Sequence, residues 1–395
     1  MAAGLLKQYD WRNLKLETKE TMSLRPETRA VHNSAIDPAS GAIVPPITLS
    51  TTFEYETTGM EQDPEQLIYT RWQNPNRAAL ERTMAELEGG AVAHAISSGS
   101  AAMLTVFQAL RPGDHIVSSD DMYFGIRVQL NEFLAPWGLE TTYVDMSDQA
   151  ALRAAMRPET KLVILETPTN PMIRLADIAA AAEIAHDYDA MLLVDNTVAT
   201  PIAQNPIQLG ADIVVISLTK YIAGHHDVLG GVIIFAQEDE YAARINRLAR
   251  IGGAVLSPFN CWLALRGLQS LSYRLRAHSE SALQVACFLA EHPMIERVLY
   301  PHHPSHPQYD LARRQMEYGS GLMSILVKGG REAAIELVNR LQLFTSATSF
   351  GGTHSLIEHR ESIEEGSSTP ANLLRVSIGL EHPADLIADL EQALA

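Results

Sequence analysis

Cysteine is scarce, with only Cys261 and Cys287 in 395 residues. Two thiols exclude a disulfide framework and give no zinc-ligand spacing. They fit a reducing cytoplasm, and both are expected to act as small buried apolar residues. Positive charge is also short: 30 Lys and Arg stand against 47 Asp and Glu, for a net charge of −17. An acidic surface repels phosphate backbones and anionic membranes, which argues against nucleic acid and lipid as partners. Long hydrophobic runs are missing as well. The opening stretch MAAGLLKQYDWRNLKLETKE is charged and is expected to be neither a secretory signal nor a membrane span. No internal repeat or low-complexity tract stands out. The 46% apolar and 19% charged residues are ordinary for a globular protein. The length is too great for one compact core.

Residues 1–64 lack steady periodicity, mixing charges, Pro45-Pro46 and a threonine-rich run from Thr48 to Thr58. They read as an N-terminal arm. A helix follows, with Asn76 as its expected cap, Leu80, Met84 and Leu87 on one face, and Gly89-Gly90 at its end. Short apolar runs then alternate with helical patterns: HIVSS, KLVILET, AMLLVDN and DIVVISL, with ALRAAMRPE and LADIAAAAEIAHDYD among them. Continuous Val/Ile/Leu strands separated by helices predict a mostly parallel sheet covered on both faces, with ligands held at strand ends. The texture changes at Ser257-Pro258. One long helical stretch is expected from Trp262 to Leu289, then a Pro/His-rich loop, a strand GLMSILV, a helix REAAIELVNRLQ and a final helix. The expected division is an arm (1–64), an α/β domain (65–257) and a smaller C-terminal α+β domain (258–395).

The segment VVISLTKYIAGHHDVLGG carries the strongest chemical signal. A strand ends at Ser217, and Thr219 and Lys220 follow. A lysine in an apolar neighbourhood at a strand end is desolvated, which makes it a competent nucleophilic amine. Ser217 and Thr219 offer hydroxyls for a phosphate. Asp195 ends another apolar strand, and a buried carboxylate needs a partner such as a protonated ring nitrogen. In AISSGSAAM a small-residue turn opens a helix, where the N–H groups of Gly99 and Ser100 suit a phosphate. Tyr123 in DDMYFG presents an aromatic face for a flat cofactor.

Together these pieces resemble the cystathionine γ-synthase/γ-lyase family, the Cys/Met-metabolism enzymes that use pyridoxal 5′-phosphate (PLP). The resemblance runs from about Pro45 to Leu394 and is carried by YTRWQNPN, SSGSAA, ETPTNP, VDNT, SLTKYIAGHHDVLGG, LSPFNCWLALRGLQSL and LLRVSIGLEHP. It implies the PLP-dependent transferase fold type I (aspartate aminotransferase-like), an α/β fold with a mostly parallel sheet of the seven-stranded type. By the same resemblance Lys220 carries the cofactor and shuttles the substrate proton, Asp195 pairs with the ring nitrogen, and Tyr123 stacks on the ring. Gly99, Ser100, Ser217 and Thr219 hold the phosphate, and Tyr69 and Arg71 reach the phosphate of a neighbouring subunit. Arg375 grips the substrate carboxylate, Asn170 and Ser349 line the same region, and Glu166 stands behind the cofactor hydroxyl. The implied assembly is a homotetramer of two dimers with shared sites. The implied reaction is γ-elimination or γ-replacement on a γ-substituted amino acid, with a β-lyase or a γ-lyase for a non-sulfur leaving group as alternatives.

Several positions depart from the family pattern. Tyr123-Phe124-Gly125-Ile126 replaces the usual Tyr-Gly-Gly-Thr or Tyr-Gly-Cys-Thr, so the cysteine associated with methionine γ-lyases is absent. His354 stands where glutamate is common, and could read a carboxylate or another leaving group. HRESIEEGSSTP replaces the HPxxMTH-like stretch, Asn76 a common threonine and His226 a common serine. Among rival signals, His302, His303 and His306 share one loop without other ligands in a regular spacing, so a solvated loop is expected rather than a metal site. His225-His226-Asp227 is expected to play a structural hydrogen-bonding part. Gly319-Ser320-Gly321 lacks a third glycine and precedes a strand, which argues against a dinucleotide fingerprint. A catalytically retired interaction subunit would be expected to lose Lys220, which is present.

Overall fold

The computed structural model describes residues 24–33, 40–55, 66–363 and 369–395. The remainder of the expected arm and residues 364–368 of HRESIEEGSSTP lie outside them. Among the described residues, the larger sheet is built from β1 (Val92–Ile96), β2 (His115–Ser119), β3 (Glu140–Val144), β4 (Thr160–Glu166), β5 (Met191–Asp195), β6 (Ile213–Ser217) and β7 (Gly231–Phe235). Their order is β1-β7-β6-β5-β4-β2-β3. Every pairing from β3 to β6 is parallel, and β7 runs antiparallel to both its neighbours.

The continuous apolar runs follow from cover on both faces. Val163 and Leu165 of β4 join one core with Leu80, Met84 and Leu87 of the helix Pro75–Glu88 and with Ile178 of the helix Ile178–His186. Their neighbours Leu162 and Ile164 point the other way, into a core with Met103, Val106 and Phe107 of the helix Gly99–Phe107 and Ile245 of the helix Glu240–Gly252. Alternation at period two thus appears as two cores rather than as one wet and one dry face.

The second sheet contains β8 (Ile295–Leu299), β9 (Leu322–Val327), β10 (Thr345–Ser346), β11 (Leu356–His359) and β12 (Leu373–Ser377), ordered β10-β11-β12-β9-β8. It is antiparallel apart from the β10–β11 pair. Helices Leu271–Glu291, Gly330–Arg340 and Pro383–Leu394 pack its core through Val285, Leu337 and Leu390. No helix among the described residues is long and apolar enough to cross a membrane.

Four local expectations are corrected. The first helix starts at Pro75 and is capped by Asn74, whose side chain accepts from the Asn76 amide at 3.0 Å. Asn76 instead pins the arm: it accepts from Thr48 N at 2.8 Å and donates to the Pro46 carbonyl at 2.9 Å. The stretch Trp262–Leu289 is not one helix but two, Pro258–Leu268 and Leu271–Glu291. Arg274 of the second donates to the Gly267 carbonyl at 2.7 Å, satisfying an end that a continuous helix would not have. Cys261 is buried as expected, whereas Cys287 is exposed, because it sits on the outer side of its helix. The histidine loop is not simply solvated either: His306 is buried and donates through Nε2 to the Ile173 carbonyl at 3.0 Å.

Candidate active site

The C-terminal ends of β4, β5 and β6 and the start of the helix Gly99–Phe107 open onto one cavity, closed from the far side by the segment Thr348–Phe350 and by Arg360 and Arg375. The arrangement follows from topology: parallel strands all deliver their ends to the same edge. Lys220 lies in the turn after β6. Its Nζ donates to Ser349 Oγ at 2.8 Å and sits 4.9 Å from the centre of the Phe350 ring. Burial, and then repulsion from Arg375, pull this amine down to about 8. The neutral fraction near physiological pH is far larger than for an exposed lysine, which suits a nucleophile or proton carrier.

Ser349 adopts φ +83°, in the left-handed region that non-glycine residues avoid at a cost of about 1–3 kcal/mol. That backbone lets one residue serve two others. Its hydroxyl takes Lys220, and its carbonyl accepts from Arg375 Nη2 at 3.0 Å. Arg375 Nη1 donates to Asn170 Oδ1 at 3.4 Å.

Two carboxylates stand side by side at the strand ends, since Glu166 of β4 and Asp195 of β5 are register partners. Asp195 Oδ1 accepts from Thr197 N at 2.9 Å, and Glu166 Oε2 accepts from Tyr123 N at 2.8 Å. Burial raises both pKa values, Glu166 well above the usual carboxylate range, with the charge of Asp195 as its second cause. The pair therefore favours retaining a proton, and a cationic ring nitrogen at Asp195 would relieve its desolvation.

Opposite them, Ser98 caps the helix Gly99–Phe107, accepting from Ala101 N at 3.0 Å. The amides of Gly99 and Ser100 begin that helix, whose positive end faces the cavity beside Ser217 and Thr219. The packing is close. A Cβ on Gly99 would lie 3.0 Å from Ser217 Cβ, and one on Gly231 would run into the Ser98 carbonyl. Thr219 Oγ1 also exchanges hydrogen bonds with Gly230, donating to its carbonyl at 3.3 Å and accepting from its amide at 3.2 Å. Tyr123 borders the cavity with its ring over Gly125, where a Cβ would come within 2.7 Å of the ring. The glycine at this position thus goes with the seat of the tyrosine.

Of the residues expected at the site, Gly99, Ser100, Tyr123, Glu166, Asn170, Asp195, Ser217, Thr219, Lys220, Ser349 and Arg375 all border this cavity. Tyr69, Arg71 and His354 do not. Arg71 donates to the Arg250 carbonyl at 2.8 Å, and exposed His354 faces His226 with ring centres 6.2 Å apart. His225 donates through Nδ1 to the Ala223 carbonyl at 2.7 Å. Sequence reasoning missed Ser98, Thr197, Phe350, Arg360 and the buried Glu358 behind Arg375. Their signal was thin: Ser98 and Thr197 adjoin recognised motifs, and Glu358 and Arg360 lie in a mixed charged stretch, IEHRES, with no periodicity to mark them as buried.

A flat, phosphate-bearing aldehyde with a basic ring nitrogen fits this donor set: a depressed amine, a buried carboxylate, and a helix start held tight by glycines. The family model described as Cys/Met metabolism PLP-dependent enzyme matches residues 27–395. The chain is 44% identical to a cystathionine gamma-synthase of Mycobacterium tuberculosis over 93% of this chain and 96% of the relative. It is 40% identical to a cystathionine beta-lyase of Coxiella burnetii over 93% and 97%. The crystal structure of metB from Corynebacterium glutamicum superposes with a TM-score of 0.89 at 38% identity, covering 94% of this chain and 98% of that one. A match over nearly the whole length, on a site whose amine, carboxylate and helix start suit the cofactor, shows that the chain belongs to the Cys/Met-metabolism family of PLP-dependent enzymes.

Proposed function

We propose that the enzyme catalyses γ-elimination or γ-replacement on a small γ-substituted L-amino acid of the cystathionine or activated-homoserine kind. The observation that carries this is the placement of Lys220 Nζ and the Arg375 guanidinium on one residue, Ser349. A substrate anchored by its carboxylate on Arg375 presents its Cα and Cβ protons to a single mobile base. Bound PLP supplies the electron sink that stabilises negative charge on the substrate carbons. Lys220 takes the Cα proton and carries protons between neighbouring carbons, which a flexible four-carbon stem allows. When PLP is bound, Asp195 would hold a positive charge at its ring nitrogen, Tyr123 would cover the ring face, and Ser217, Thr219 and the helix start would bind the phosphate. Arg375 binds the substrate carboxylate through the donors left by Asn170 and Ser349, which fix its own direction.

We also assign Tyr69 and Arg71 to the site of a neighbouring subunit in a homotetramer, and His354 to the region of the leaving group. Exposed apolar Ile43, Val44 and Leu49 on the arm support such an assembly. The division at 64/65 and 257/258 and a cytoplasmic location complete the proposal.

The test is product identification by mass spectrometry on cystathionine, methionine and O-acetyl- and O-succinylhomoserine, each with and without cysteine. 2-Oxobutanoate formed without thiol means elimination, and a new thioether formed only with cysteine means replacement. Pyruvate from cystathionine would move the assignment to β-cleavage, the activity named for the Coxiella burnetii relative. No product from any of these would remove the sulfur substrates and direct attention to other leaving groups at His354.

A further inference from the structure

Behind Arg375 lies a buried charge cluster. Glu358 on β11 and Arg375 on β12 are register partners, so their side chains leave the sheet on the same face. Arg360, two residues beyond Glu358, returns to that face and borders the cavity. All three side chains are buried, at 3–5% exposure. Both guanidiniums use the same carboxylate oxygen: Glu358 Oε2 lies 2.5 Å from Arg375 Nη2 and 2.8 Å from Arg360 Nη1. The other oxygen, Oε1, is buried without a hydrogen-bond partner among the described residues.

This geometry is unusual for an arginine–carboxylate pair, which favours two parallel hydrogen bonds. Directly opposite Arg375 and already in contact with it through one oxygen, Glu358 is a built-in competitor for a substrate carboxylate. Arg360 draws the same oxygen toward itself, so the contact to Arg375 stays single. We infer that Arg360 is a positioning residue for Arg375: it restrains Glu358, which with the Ser349 carbonyl already takes Nη2, from claiming further donors, and so leaves Nε and one Nη1 hydrogen to the substrate. The inference rests on the proposed role of Arg375 and deepens it. It also gives a function to one departure in HRESIEEGSSTP.

The test is calorimetric binding of 4-(methylthio)butanoate, which has a carboxylate and no amine, to the PLP-loaded enzyme. Arg360→Leu weakens binding at least about tenfold by releasing Glu358 onto Arg375. Adding Glu358→Gln restores affinity to within about threefold of wild type, because the competitor has lost its charge. Arg360→Lys retains affinity, and Glu358→Gln alone binds at least as tightly as wild type. In steady state Arg360→Leu raises KM alike for substrates with and without a second anionic group and leaves kcat nearly unchanged. A double variant as weak as Arg360→Leu, or a KM effect confined to substrates with a second anion, would mean that Arg360 touches the ligand itself, and overturns the inference. Should Arg360→Leu fail to fold, weaker binding by Glu358→Gln alone does the same. Arg375→Gln separates the two levels: unchanged binding there removes the role of Arg375, and this inference with it.

Discussion

At the scale of single residues, the site is an arrangement of charges whose burial sets their chemistry. Lys220 is held at about 8 because its ammonium form loses hydration and faces Arg375. Only the neutral amine attacks an aldehyde. The rate at which cofactor-free enzyme captures PLP, followed by the growth of the visible band, therefore rises about tenfold per pH unit below the pKa and levels off near pH 8. A rise continuing toward 10.5, the ordinary value for lysine, would show a water-exposed amine instead. Lys220 and Asp195 were legible in the sequence, since each follows an apolar run that can only be a buried strand. Asn76 was misread because Asn74, two residues earlier, suits the same capping chemistry. What separates them is the arm, which uses Asn76 as its anchor.

At the scale of elements, the proposed phosphate end of the site depends on how closely β7 approaches the helix Gly99–Phe107. Gly231 opens β7 directly beneath the Ser98 carbonyl and the Gly99 amide, with no room for a methyl group. Gly231→Ala must displace the helix start. An overpacking strain of about 1–3 kcal/mol placed there lowers PLP affinity by about fivefold or more, measured by equilibrium dialysis. Gly252→Ala serves as the control, since a Cβ there meets nothing within 4 Å. Affinity equal in the two variants would detach the phosphate from this helix. The helix and strand were both visible as patterns. Their contact was not, because β7 joins the sheet antiparallel between β6 and β1, a placement no local periodicity encodes.

At the scale of the whole molecule, Tyr69 and Arg71 stand outside the cavity of their own chain, and the proposed assembly places them in a neighbour's. Complementation tests this. Lys220→Ala abolishes activity and Arg71→Ala impairs it, each at every site of its own oligomer. Unfolded together and refolded in equal amounts, half of the dimers are mixed. Each mixed dimer owns one site with both native residues, so activity returns to about a quarter of wild type. No recovery above the Arg71→Ala contribution would show that each chain completes its own site.

The sequence by itself determined the strand–helix alternation, the amine and carboxylate at strand ends, the glycine-lined helix start and hence the family. These rest on short-range patterns: which residues are apolar at period two or 3.6, and what stands where such a run stops. Only the tertiary structure decided that Ser349 joins Lys220 to Arg375, that Glu166 neighbours Asp195, and that Glu358 is shared between Arg360 and Arg375. Those contacts come from cross-strand register and from segments far apart in the chain. A buried charge acquires its partner there, and the cost of leaving it alone is what holds the arrangement together.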